Sequence, residues 1–118
     1  MDHNVEPGEY LKLLPAITES DKVRLHQIID QMAEQDITDL EKAGESYGDS
    51  WCKRGGPGAW MVTVRKFDRL ENQLKEAGWD IFKLLLDNTD ESGPRDDIAD
   101  LRRYLILISA YVRLVEEK

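Results

Sequence analysis

Apolar positions recur along the chain at intervals of three and four, the period of helices with one buried face. Val23, Ile28, Ile29 and Met32, with Leu25 beside them, follow the helix-start pattern Thr18-Glu19-Ser20-Asp21. Asp36-Ile37-Thr38-Asp39 reads as the start of a second helix. There, Thr38 and Glu41 have the Ser/Thr-x-x-Glu spacing of a capping box. That helix is expected to end near Tyr47-Gly48. Asp49 to Gly58 holds three glycines and Pro57, so it reads as a loop, with Pro57 placed to open the next helix. Residues 59–77 then carry Trp60, Val64, Phe67, Leu70 and Leu74 on one stripe, and Gly78 is a natural stop. A short helix over 79–87 and a polar turn over 88–94 precede a last helix over 95–116. Its seam is Ile98, Leu101, Leu105, Ile108, Val112 and Val115.

Only Met61-Val62-Thr63-Val64 is locally β-prone, and no stretch alternates with period two for long. The expected fold class is therefore all-α, four-helix-bundle-like, with short extra helices. A chain of 118 residues holds one core, so residues 1–118 are read as a single helical domain. Residues 1–15 would form an N-terminal tail, with a short turn over 9–14 stopped by Pro15. Residues 16–118 would form the bundle.

Charge narrows the partners. The net charge is −8, which opposes binding to a duplex backbone. Yet Lys53, Arg54, Arg65 and Lys66 fall in a segment without an acidic residue, a balance better suited to a small anion than to a polymer. No apolar run approaches the roughly 18 residues of a membrane span, so no membrane partner is expected. The first residues lack the basic and apolar regions of a secretory signal. With the single cysteine, Cys52, this points to the cytoplasm, or to the host cytoplasm for a phage-encoded chain. His3 and His26 are not in the local context of Cys52, which reads as a plain free thiol.

Two acidic pairs carry the candidate chemistry. Asp97 and Asp100 are three apart, and Asp96 and Asp100 four apart, so either pair shares a face of the last helix beside the seam. Taken alone, such residues are ordinary first-turn charges that complement the helix dipole. Asp68 and Glu71 are likewise three apart, beside Phe67 and Leu70. Alone, they read as a solvated face paired with Arg69 or Lys75. Brought together in a bundle, the four carboxylates would repel, and a hard cation such as Mg²⁺ (or Mn²⁺) would relieve that repulsion. Arg65, Lys66 and Arg69 on the same helix, with Lys53 and Arg54 before it, supply the complement for phosphate. Gly55-Gly56-Pro57-Gly58 leads into a helix N-terminus, a general anion-binding device, but lacks the pattern of a phosphate loop. Tyr47, Trp51 and Trp60 offer flat surfaces for a base. For Trp60, on the apolar stripe, a core position is an equal reading.

At these residues the chain resembles a family. Asp96-Asp97-Ile98-Ala99-Asp100-Leu101 followed by Tyr104 looks like the acidic motif of the MazG-like all-α nucleoside triphosphate pyrophosphohydrolases, with Asp68-x-x-Glu71 as the partner motif. The chain is also similar to the phage and bacterial nucleotide-modification-associated domain. Tyr47-Gly48-Asp49-Ser50-Trp51, then Arg65 through Asn72, then Asp96 through Tyr104 follow that domain's order over roughly residues 40–112. The resemblance implies a MazG-like architecture and a Mg²⁺-dependent pyrophosphohydrolase-like activity on a (deoxy)nucleoside triphosphate, releasing a monophosphate and pyrophosphate. It implies Glu71, Asp97 and Asp100 as metal ligands and Asp68 and Glu71 as catalytic residues. Arg65, Lys66 and Arg69 would meet phosphates. Tyr47, Trp51, Lys53, Arg54, Asn72 and Tyr104 would complete the substrate site. Three of the four acidic positions are Asp, where these enzymes mostly use the longer Glu; upstream, Glu41 and Glu45 share a helix face and are candidate further ligands, though a solvated face is the simpler reading. A non-catalytic nucleotide-binding or sequestering protein is the alternative, and a plain helical interaction protein a third. The last helix is apolar on more than one side, with Tyr104, Ile106, Leu107 and Tyr111 off the seam. A homodimer or higher homo-oligomer is therefore expected.

Overall fold

The computed structural model describes residues 16–118 except Glu91, and the backbone but not the side chain of Tyr47. The expected tail and its turn at 9–14 lie outside the described residues. Among these, the chain is all helical: α1 (Glu19–Tyr47), α2 (Gly55–Glu76), α3 (Ile81–Asp87) and α4 (Pro94–Glu116). None of them is long and apolar enough to cross a membrane.

Helix α1 begins where the sequence indicates. Thr18 Oγ1 accepts from the Asp21 amide at 3.1 Å, and the Asp21 carboxylate accepts from the Thr18 amide at 3.0 Å. This reciprocal box satisfies two amide donors that the first turn otherwise leaves unpaired. The expected break at 36–39 is absent, and α1 runs on for 29 residues, about 43 Å at the helical rise. Thr38 does not cap; its hydroxyl donates to the Glu34 carbonyl at 3.2 Å, within the helix. Asp36 and Asp39 instead turn toward α4 and pair with its arginines. Tertiary ion pairs thus override the local preference of aspartate for a cap.

Helix α2 also starts earlier than expected, at Gly55 rather than near residue 59. Pro57 falls in its first turn, where no intrahelical amide bond is needed, so it opens the helix from inside. At the far end Gly78 adopts φ +69° and the Trp79 amide donates to the Leu74 carbonyl at 2.8 Å. That closure requires a left-handed residue after the cap. Gly78→Ala is expected to cost about 1 kcal/mol, seen as a lower urea midpoint with an unchanged slope.

Asp80 then caps α3 by accepting from the amides of Phe82 and Lys83 at 3.0 and 3.1 Å. Pro94 is the first residue of α4, after Gly93. The main packing is α2 along α4; α1 crosses α4 briefly, and α3 touches both α2 and α4.

The buried faces are the expected ones only in part: of the predicted stripe of α2, Leu70 is buried and Val64 and Leu74 are half-buried. Helix α2 buries Ala59, Thr63 and Leu70 against its neighbours, while Trp60 and Phe67 from the predicted stripe are more than half exposed. Along α4 the early seam residues Ile98 and Leu101 are half-buried. Farther along, Ile108 is half-buried, while Leu105, Val112 and Val115 are exposed. Asp97, rather than an apolar residue, is the most buried side chain of α4.

Candidate functional site

Where α1, α2 and α4 meet, four carboxylates and four cations alternate in one connected chain. Asp36 lies near one end of it, almost fully buried. Arg102 grips it with two donors, Nε to Oδ2 and Nη2 to Oδ1, the latter at 2.8 Å. Arg103 Nε reaches the same Oδ1 at 3.1 Å, and Arg103 Nη2 reaches Asp39 at 2.6 Å. Arg103 Nη1 also lies 3.5 Å from Asp100. Asp100 in turn holds Lys66 Nζ of α2 at 2.7 Å. Lys66 faces Asp97 at 3.9 Å, and Arg69 faces the same oxygen at 3.6 Å. The two-donor fork of Arg102 is the strongest link, since planar guanidinium matches carboxylate.

The fork has a titration consequence. The Arg102 hydrogen bond holds the Asp36 carboxyl below its ordinary 3.8; burial opposes this, and Arg103 adds to the lowering. The same bond raises the Arg102 guanidinium above its ordinary value. The pair is thus charged at any pH near neutral.

Asp97 is held differently. Its Oδ2 accepts from Gln73 Nε2 at 3.2 Å. Its Oδ1 is buried and has no hydrogen-bond partner, with only the two more distant cations to offset its charge. A buried carboxylate oxygen in that state has unused capacity for a cation or a water.

A cleft of about 480 Å³ opens beside this chain of charges. Asp39, Leu40 and Gly44 of α1, Trp51 of the following turn, Val62 of α2, and Asp100, Arg103, Tyr104 and Leu107 of α4 line it. The volume is in the range of small-molecule sites, and the lining combines apolar walls with a few convergent polar groups. Trp51 is fixed there by edge-to-face packing on Tyr111, with ring centroids 5.9 Å apart and planes at 86°. The turn that carries Trp51 is closed by the Cys52 amide and thiol, both donating to the Asp49 carbonyl. Cys52 is a free thiol, as expected.

The expected site residues divide sharply. Lys66, Arg69, Asp97 and Asp100 come together, and Trp51, Tyr104 and Asp100 share the cleft. Lys53, Arg54, Arg65 and Asn72 are exposed, as are Glu41 and Glu45. The Tyr47 side chain lies outside the described residues. Asp68 and Glu71 do not join the cluster. At 100° per residue they lie on the far side of α2 from Arg69 and Gln73, which meet Asp97. Accordingly, no group of three or more His, Cys, Asp or Glu among the described residues is gathered as a metal would need. For a divalent cation the residues present offer Asp97 and Asp100, with Lys66 Nζ now between them. Two carboxylates suffice for Mg²⁺ when water and phosphate oxygens fill its shell.

Asp36, Asp39, Arg102 and Arg103 were not legible as site residues. The available signal was the Asp36-x-x-Asp39 spacing on the apolar face of α1, matched by two adjacent arginines inside the seam of α4. Comparison with family models, with curated proteins and with solved structures finds no match.

Proposed function

We propose that the chain is a Mg²⁺-dependent nucleotide pyrophosphohydrolase-like protein that takes a (deoxy)nucleoside triphosphate into the cleft between α1 and α4, working as a homodimer or higher homo-oligomer. The observation that carries this reading is the meeting of Trp51 and Tyr104 with Asp100 and Arg103 on one cleft. The aromatic pair suits a base, and the arginine suits phosphate oxygens. Asp97 and Asp100 would hold the cation, whose part is to neutralise phosphate charge and to lower the pKa of a bound water. Lys66 and Arg69, already beside these carboxylates, would follow the negative charge onto the phosphates. The reaction adds one water across the α–β anhydride. The water oxygen joins the α-phosphorus, the bond to the bridging oxygen breaks, and pyrophosphate leaves.

A second reading has its own observation. Lys66 sits on Asp100, and Arg103 bridges Asp36, Asp39 and Asp100, so the protein's own cations neutralise the acidic groups. That arrangement suits a protein that binds or sequesters a nucleotide without cleaving it.

One experiment separates the two. A panel of nucleoside triphosphates is incubated with the protein and Mg²⁺, with pyrophosphate release and thermal shift read together. Release from one of them is the expected result. Stabilisation with the nucleotide recovered intact selects the binding protein. Neither response to any nucleotide or to Mg²⁺ refutes both.

A further inference from the structure

We infer that Gly44 sets the ligand specificity of the α1–α4 cleft: its missing side chain leaves the gap, between Leu40 and Trp51, that takes the flat ring of the nucleotide. The inference rests on the nucleotide reading of the cleft and adds which end takes the ring and which residue makes room for it. Glycine is the weakest helix former after proline, and two structural demands ordinarily hold it in place, a positive φ or the close approach of a neighbour. Neither applies at Gly44, in the last turn of α1. The positive φ at this helix end, +59°, falls on Gly48 and not on Gly44. Among the described residues no atom lies within 4 Å of the point that a Cβ at position 44 would occupy. What borders the position is the cleft, which Gly44 and Gly48 both line.

Positions 40, 44 and 48 are four apart, so they succeed one another along one side of α1. Leu40 is large and half-buried. Two positions without a side chain follow it, and then Trp51 in the turn beyond the helix. Between Leu40 and Trp51 this side of α1 therefore offers the cleft backbone alone. Tyr104 and Leu107 of α4 line the same cleft. A narrow space bounded by bare backbone and aromatic faces suits a planar ring, which can stack on Trp51 or Tyr104.

The charges of the cleft fix the direction of the ligand. Asp39 pairs with Arg103 at 2.6 Å, and Trp51 packs on Tyr111. Passing from Asp39 to Trp51 thus follows α4 from 103 to 111, about 12 Å at the helical rise. At the first end stand Arg103 and Asp100, with Lys66 2.7 Å from Asp100. At the other end α1 terminates, with no basic residue in its last turn. A helix C-terminus carries partial negative charge, which repels phosphate but not an uncharged ring. The reverse placement would set phosphates against that terminus and Trp51. The ring therefore belongs at Gly44 and Trp51, and the phosphates belong at Arg103.

The test uses the full chain and reads binding rather than turnover. With Mg²⁺ present, dATP, dGTP, dCTP, dTTP and inorganic tripolyphosphate, a probe without a ring, are titrated into the native chain by calorimetry. The same titrations are made on Gly44→Ala, Gly44→Leu and Ser46→Leu, the last an exposed position of α1 outside the cleft lining. Gly44→Leu is expected to weaken the tightest-binding nucleotide at least tenfold while tripolyphosphate stays within about twofold. Ser46→Leu is expected to leave both within about twofold. Gly44→Ala is expected to raise the thermal midpoint of the free chain by about 2–4 °C and still to weaken the nucleotide severalfold. Unchanged nucleotide affinity in Gly44→Leu overturns the inference and leaves the nucleotide reading standing. Equal losses for nucleotide and tripolyphosphate overturn the assigned direction. A lower midpoint for free Gly44→Ala shows that the fold itself needs the glycine, which also overturns it. A native chain that binds none of the four nucleotides removes the nucleotide reading, and the inference with it.

Discussion

Replacing Asp36 with alanine is expected to destabilise the fold by about 3 kcal/mol or somewhat more, the low end of what breaking one side of a buried ion pair costs. The carboxylate is 4% exposed, and three guanidinium donors converge on it. Removing it leaves Arg102 and Arg103 side by side without their shared partner. Both retain some water, at 33% and 21% exposure, which keeps the cost from the top of the range. For contrast, Lys83 and Asp87 form a pair on one turn of α3, with both side chains about half exposed. Asp87→Ala is expected to change stability by less than about 1 kcal/mol. Urea unfolding at one fixed chain concentration checks both, since an assembly makes the midpoint concentration-dependent. A loss of under 1 kcal/mol for Asp36→Ala would show that the fork does not hold α1 to α4.

The same carboxylate predicts an acid limb. Its folded pKa lies below the ordinary 3.8 because of Arg102, so folding favours the ionised form. The contribution is complete above the unfolded pKa and is lost as pH falls from there through the folded one. The difference in stability between the native chain and Asp36→Asn is therefore expected to stay flat from about pH 5 to 8 and to shrink only below about pH 4. A difference that already declines at pH 6 would point to another group.

Residues 36–39 also show what local pattern carries and what it does not. The start of α1, the stop at Gly78 and the extent of α4 follow from capping, left-handed glycine and apolar spacing, which act within a few residues. The uninterrupted α1 does not, because Asp36 and Asp39 look like a helix start until Arg102 and Arg103, more than sixty positions away, are known to face them. The stripe of α2 is legible in part: Leu70 is buried and Val64 and Leu74 are half-buried, but Trp60 and Phe67 face outward. Which face meets α4 is decided by Lys66, Arg69 and Gln73 reaching Asp97 and Asp100, and polar contacts across helices leave no periodic trace. Half of the acidic cluster, Asp97 and Asp100, was legible from its spacing and the adjacent seam. Its cationic neighbours Lys66 and Arg69 were legible as a basic group on the same helix as Asp68 and Glu71. That they sit on Asp97 and Asp100 was not.

That rotation of α2 yields the last prediction. If the cleft works as proposed, Asp100→Asn is expected to lower pyrophosphate release by at least about 10²-fold, the scale for losing a group that stabilises transition-state charge. Helix content should be unchanged, since Asp100 is only partly buried, at 27%. Glu71→Gln is expected to stay within about twofold, because Glu71 lies across α2 from the residues that meet Asp97 and Asp100. The two substitutions are matched in chemistry, each exchanging one carboxylate for its amide, so their ratio reads position rather than charge. A large loss in Glu71→Gln with little in Asp100→Asn would mean that the working site is gathered on the outer stripe of α2, beside Trp60 and Phe67. Large losses in both would require α2 to turn by well over 100° when nucleotide and cation bind. That turn would break the Lys66–Asp100 contact and free Asp97 Oδ1 for the metal. Cross-linking between positions 66 and 100, with and without nucleotide, would then show whether the turn occurs.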